Sequence, residues 1–195
     1  MSHDRRAFLT LSGSTLAAFF LSGKPEEFRA ALAHGRDMAS GGEPAWEFLS
    51  AEQAADVGAF AEQIFPGEPG SPGAKDLGVV YFIDKSLATW AVDQREPLTK
   101  GLDEFNEEVT RRWPGTTRFA ALSAERQVEL MKAREKTPFF QQLRAATLSG
   151  VFGNPEYGGN KDKAAWKLIG FEDRYAWQPP FGDYDAAASK GGARQ

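Results

Sequence analysis

Apolar residues recur at helical spacing through most of this 195-residue chain, and that periodicity sets its fold class. Between Ser50 and Val151 they return every three or four positions, whereas no stretch alternates apolar and polar residues for long enough to predict a sheet. Each helix thereby has an apolar face to bury against a neighbour. We therefore predict an all-α fold, a small multi-helix domain with an orthogonal or bundle-like arrangement.

Start and stop signals predict five helices. Ser50 and Gln53 form a capping box ahead of the first helix, which Pro66 ends. From Ala74 to about Trp90, apolar residues cover nearly every face, which predicts a central, buried helix. The other three helices begin at residues suited to a cap or a first turn, namely Pro97, Ser123 and the pair Thr137-Pro138.

The C-terminal third of the chain has a different character. Ten aromatic residues fall between Phe139 and Tyr184, and from Gly153 onward they stand among Gly, Pro and Asn. This composition predicts an irregular, aromatic and Gly-rich segment, with a short helix that Asn160 caps and Gly170 ends. From residue 185 the chain is rich in Ala, Ser and Gly, which predicts a disordered tail over 185–195.

The N-terminus resembles an export signal. Arg5-Arg6 precede Phe8-Leu9 and a mildly apolar run to Leu21, an arrangement typical of a twin-arginine signal, which exports folded proteins. The run is shorter than the roughly 20 residues of a spanning helix, and Ala31-Leu32-Ala33 offers a cleavage site. We predict periplasmic export, with a signal peptide over 1–33, a flexible lead-in over 34–48 and a single helical domain over 49–184.

The chain has few residues that could bind a cofactor. Cysteine is absent, which excludes disulfides, iron–sulfur ligation and covalent haem attachment, and histidine occurs only twice, at His3 and His34. The net charge of −4 without a basic block argues against nucleic acid as a partner. We predict no metal, no cofactor and no catalytic residues in this chain. Because twin-arginine export mainly serves proteins that carry cofactors, we expect this chain to escort a partner protein that carries a cofactor.

Several residues permit both a structural and a functional interpretation. Asp84 lies on the apolar helix, where we expect a buried acid paired with an arginine such as Arg144, in preference to a functional role. Glu104, Glu107 and Glu108 are interpreted as a solvated face, since no histidine lies nearby to complete a di-iron pattern. Gly67, Gly70 and Gly73 match no phosphate-binding motif and predict a turn.

Five motifs, taken in order, resemble the gluconate 2-dehydrogenase subunit 3 family. They are Ile64-Phe65-Pro66, Pro72-Gly73-Ala74, the run from Val79 to Leu87, the entry Phe119 to Leu122, and the signature Pro155-Glu156-Tyr157-Gly158-Gly159-Asn160 followed by Trp166-Lys167-Leu168-Ile169-Gly170-Phe171. The resemblance extends from about Leu49 to Phe171. The family usually has Ile-Ile-Pro at the first motif and often Gly-Trp where this chain has Ala165-Trp166.

The resemblance implies the small, non-catalytic subunit of a periplasmic dehydrogenase complex. The large subunit in such complexes is a flavoprotein of the glucose-methanol-choline class that binds FAD and oxidises a sugar, sugar acid or polyol. A cytochrome c subunit is often present, and the small subunit reaches the membrane only through the complex. The small subunit assists folding and twin-arginine co-export of the flavoprotein.

An alternative function is a free-standing periplasmic binding or assembly protein, which would hold a carbohydrate or a peptide. For either function the expected contact surface is the aromatic and Gly-rich segment, because such surfaces often anchor interfaces. A structural role in closing the helical domain is an equally good interpretation of the same residues. The candidate interface residues are Tyr157, Gly158, Gly159, Asn160, Trp166, Phe171, Tyr175, Trp177 and Phe181.

Overall fold

A computed structural model describes residues 46–174 of the chain. Within that range six α-helices are the principal elements and no β-strand is present, although Glu68 and Ser71 form an isolated bridge. The prediction of an all-α domain is confirmed. The helices are α1 (Ala51–Ile64), α2 (Val79–Ala88), α3 (Arg95–Arg112), α4 (Ala124–Arg134), α5 (Pro138–Phe152) and α6 (Ala164–Leu168).

Several predictions lie outside the described residues. They concern the signal over 1–33 with Arg5, Arg6, Phe8 and Leu9, the lead-in up to residue 45, the tail over 185–195, and Tyr175, Trp177 and Phe181 of the candidate interface.

Side-chain caps place the starts of α1 and α5 where the sequence predicts them. The Oγ of Ser50 accepts the N–H of Gln53 at 3.1 Å, and the Oε1 of Gln53 accepts the N–H of Ser50 at 3.0 Å, which is the predicted capping box. At α5, the Oγ1 of Thr137 accepts the N–H of Phe140 at 3.3 Å, and Pro138 is the first helical residue.

The central helix α2 is shorter than the sequence predicts. Residues 74–78 form turns, and Gly78 adopts a left-handed conformation with φ of 70° immediately before the helix begins at Val79. A continuous apolar run cannot reveal this start, since Ala74 and Leu77 are buried although they lie in the turns. At the other end, Nε and Nη2 of Arg95 donate to the carbonyl oxygens of Leu87 and Ala88.

The core is organised around one aromatic ring. Phe60, on α1, is 1 % exposed, and its ring centroid lies 5.2 to 6.3 Å from four other phenylalanine rings. These rings come from α3, from the segment before α4 and from the first turn of α5, namely Phe105, Phe119, Phe139 and Phe140. The core therefore depends on segments that are far apart in the sequence. Between residues 46 and 174, no helix is both long enough and apolar enough to cross a membrane.

Candidate functional site

Asn160 joins the end of α5 to the start of α6. Its side chain is fully buried; Nδ2 donates to the carbonyl oxygen of Gly153 at 3.0 Å, and Oδ1 accepts the N–H of Ala165 at 3.0 Å. The residue has a φ of 46°, a left-handed conformation that asparagine tolerates better than most residues. Its side chain is fully engaged in holding the chain together.

The two glycines before Asn160 permit a close approach of the loop to α5. A Cβ atom on Gly159 would lie 2.9 Å from the carbonyl carbon of Gly150 and closer still to its oxygen, while Gly158 has a φ of 99°. Gly159 and Asn160 are buried in this structure, which agrees with the structural interpretation of the motif. Their contact with a partner stays a prediction. The motif closes the helical domain.

Tyr157 packs against Trp90, which follows the end of α2. Its ring centroid lies 5.9 Å from that of Trp90, and the side chain is half-buried. Burial, and to a smaller extent the charge of Glu156, raises the pKa of Tyr157 above its ordinary value of 10.0.

Beyond this loop, α6 and the residues after it present an apolar surface. Leu168 is 48 %, Ile169 52 % and Phe171 45 % exposed. Trp166 is half-buried; its Nε1 donates to the carbonyl oxygen of Phe152 at 2.8 Å, and its ring lies 5.0 Å from that of Phe171. We call Trp166, Leu168, Ile169 and Phe171 the C-terminal apolar patch. Three of the four most exposed large apolar side chains in residues 46–174 belong to it.

Asp84 is buried, with 4 % of its surface exposed, and it receives its hydrogen bonds from the main chain. Oδ2 accepts the N–H of Glu47 at 2.7 Å, and Oδ1 accepts the N–H groups of Phe48 at 3.0 Å and Leu49 at 2.7 Å. The sequence suggested a side-chain partner such as Arg144. Three main-chain donors instead hold this carboxylate, because the segment before α1 crosses α2 at this point.

A second buried carboxylate, Asp56 on α1, was missed by the sequence analysis. It is 0 % exposed, and Oδ2 accepts Nδ2 of Asn106 at 2.8 Å and lies 2.6 Å from Nη2 of Arg118. Oδ1 accepts the N–H of Ala120 at 2.9 Å. A signal was available, since Asp56 falls between the apolar residues Ala54 and Val57 on the inner face of α1.

Glu108 is also buried, so the predicted solvated face is wrong for this residue, while Glu104 and Glu107 are exposed. Its carboxylate lies 2.5 Å from Arg112 and 3.4 Å from Arg134, which joins α3 to α4. Periodicity cannot distinguish a glutamate that pairs with an arginine of another helix from one in solvent. Within residues 46–174, no three acidic or histidine side chains are grouped as metal ligands would be.

Comparison with known proteins gives one match. Residues 51–173 match the protein family described as gluconate 2-dehydrogenase subunit 3. The matched span starts at α1, includes all six helices and the C-terminal apolar patch, and covers more than half of the chain. No curated protein and no solved structure matches the chain.

Proposed function

The chain belongs to the gluconate 2-dehydrogenase subunit 3 family, and we propose that it is the non-catalytic small subunit of an exported, FAD-dependent dehydrogenase complex. Family membership makes it a subunit of a multi-subunit dehydrogenase. The large subunit would bind FAD and oxidise a sugar, a sugar acid or a polyol. The family match across the whole helical domain is the observation that carries this proposal, and Arg5-Arg6 ahead of that domain support export.

The chemistry of the chain supports a non-catalytic role. The sequence contains no cysteine, and its two histidines precede the matched domain. The buried acids Asp56, Asp84 and Glu108 accept hydrogen bonds or ion pairs from groups that fix loops and helices. The oxygens of these acids stabilise the fold. We therefore assign the flavin and the reacting groups to the large subunit.

We propose that the C-terminal apolar patch binds the large subunit. Exposed apolar residues that cluster on a small domain mark protein contacts more often than isolated ones. The patch lies where the described chain ends, and Tyr175, Trp177 and Phe181 follow within ten residues of Phe171. Aromatic residues of this kind are the common anchors of interfaces. We propose the flavoprotein as the protein that binds this patch.

Leu168→Ala is expected to weaken co-purification of the large subunit while leaving the small subunit folded. Leu168 is 48 % exposed, so its truncation removes little buried surface from the isolated domain. Val92→Ala is the matched control, since Val92 is also 48 % exposed but lies between α2 and α3. The measurement compares the yield of the large subunit on the tagged variants, with melting temperatures alongside. Equal yields for the two variants would exclude the patch as the contact surface.

Purification of the tagged full chain from the periplasm tests the proposed function. A co-purified large protein with the absorbance of a flavin is the expected result, and haem bands would add a cytochrome subunit. The small chain separated from this complex should retain no flavin. A chain that reaches the periplasm without a large partner would favour the alternative, a free-standing binding or assembly protein.

Export is tested by changing Arg5 and Arg6 together to lysine, which keeps the charge but removes the paired guanidinium groups. We expect the small chain and its flavoprotein partner to remain in the cytoplasm, because the partner is proposed to travel with this signal. Unchanged periplasmic amounts of both proteins would contradict the proposed route.

A further inference from the structure

We propose that residues 46–49, which we call the strap, form a clasp with Asp84 at the N-terminal end of the described domain. We further propose that export requires this clasp to be closed. The inference goes beyond the proposed subunit role and rests on the proposed export route. It concerns the start of the described domain, where the strap comprises the last three residues of the predicted lead-in over 34–48 and Leu49.

The clasp has the geometry of a dedicated main-chain binding site. Three successive N–H groups, those of Glu47, Phe48 and Leu49, point at one buried carboxylate over distances of 2.7 to 3.0 Å. Hydrogen bonds to an ionised acceptor are stronger than those between neutral groups. The carboxylate of Asp84 therefore fixes the path of the strap by binding the strap's main chain. These three hydrogen bonds do not depend on which side chains the strap carries.

The strap side chains add a second set of contacts. The ring of Trp46 stacks on that of Tyr81 at 4.9 Å with an interplanar angle of 14°, and the guanidinium of Arg95 lies 5.0 Å from the ring of Phe48. Tyr81 is on α2, and Arg95 binds the last carbonyl groups of α2. Tyr81 and Arg95, which the strap contacts, come together only when α2 has formed and α3 begins beside its C-terminal end.

Strap and helix depend on each other. Without the strap, Asp84 would lose three charge-assisted hydrogen bonds, those from the N–H groups of residues 47–49. Without Asp84, the strap would expose Trp46, Phe48 and Leu49, which lie in the sequence between the predicted signal over 1–33 and α1. Since the twin-arginine route carries folded proteins, an open strap would leave an apolar, unfolded segment between the signal and the helical domain.

Glu47→Pro is the sharpest test, because it removes one donor from the clasp without changing the helices. Glu47→Ala is the matched control, because alanine keeps the N–H that proline lacks. The side chain of Glu47 is exposed, so its loss is common to both variants and removes no buried contact. In the full chain, we expect the amides of Phe48 and Leu49 to exchange hydrogen about tenfold faster or more in the proline variant than in the alanine variant. We expect its exported fraction to fall well below that of Glu47→Ala.

Two outcomes would overturn the proposal. Equal exchange at Phe48 and Leu49 in both variants would mean that Asp84 does not hold the strap. Faster exchange with equal export would remove the link between the clasp and export. Asp84→Asn gives a second measurement of strap release, with circular dichroism to verify that the helices persist. The lysine variant of Arg5 and Arg6 separates the two proposals, since it tests the export route alone while the exchange comparison tests the clasp.

Discussion

Replacing Gly159 with alanine is expected to destabilise the domain by about 3 kcal/mol, because the new methyl group would overlap the main chain of α5. The neighbouring atoms are the carbonyl group and Cα of Gly150, which belong to a helix backbone and cannot rotate away as a side chain can. Urea denaturation of the purified chain, followed by circular dichroism at 222 nm, measures the loss.

Gly170→Ala is the control for this substitution. Gly170 has a φ of 70°, but no atom lies within 4 Å of the position that its Cβ would take. Only the left-handed backbone opposes alanine there, at about 1 kcal/mol. A Gly159→Ala variant no less stable than Gly170→Ala would contradict the close approach of the loop to α5.

Asp56→Asn is expected to cost on the order of 3 kcal/mol, since it removes one partner of a buried ion pair and leaves the other in place. Asparagine also replaces one of the two acceptor oxygens with an N–H₂ group, which then faces either Nδ2 of Asn106 or the N–H of Ala120, and both of these are donors. Thermal unfolding at constant pH measures the change in stability.

Glu52→Gln is the matched control, because Glu52 approaches the same guanidinium of Arg118 at 3.7 Å but is 79 % exposed. Exposed ion pairs contribute less than about 1 kcal/mol. Similar losses of stability for the two variants would contradict the prediction, because the charge of Asp56 would then contribute no more than an exposed charge. A double variant with Arg118→Met tests the coupling directly, since neighbours in one network are not additive.

Local signals in the sequence predict the helices well and the loops poorly. The capping box at Ser50 and the pair Thr137-Pro138 act within one turn, so the sequence contains everything that their geometry needs. The start of α2 depends on the conformation of Gly78 within a continuous apolar run, which has no periodicity to reveal it.

The polar contacts that fix the loops could not be predicted because their partners lie far away in the sequence. The donors to Asp56 come from residues 50 to 64 positions later in the chain, and those to Asp84 from residues 35 to 37 positions earlier. The Gly158-Gly159-Asn160 motif is equally compatible with an exposed turn and with a loop that packs against a helix. Only the position of α5 decides between them.

The aromatic cluster around Phe60 also has a consequence for synthesis. Phe60 packs against Phe139 and Phe140, and the loop that ends at Asn160 closes the same domain. At about 5–20 residues per second, the ribosome takes roughly 5–20 s to add the intervening chain. Phe60 is thus synthesised seconds before the rings that complete its cluster and the loop that closes the domain. Folding of the complete domain is thus a late event, which follows translation of Asn160.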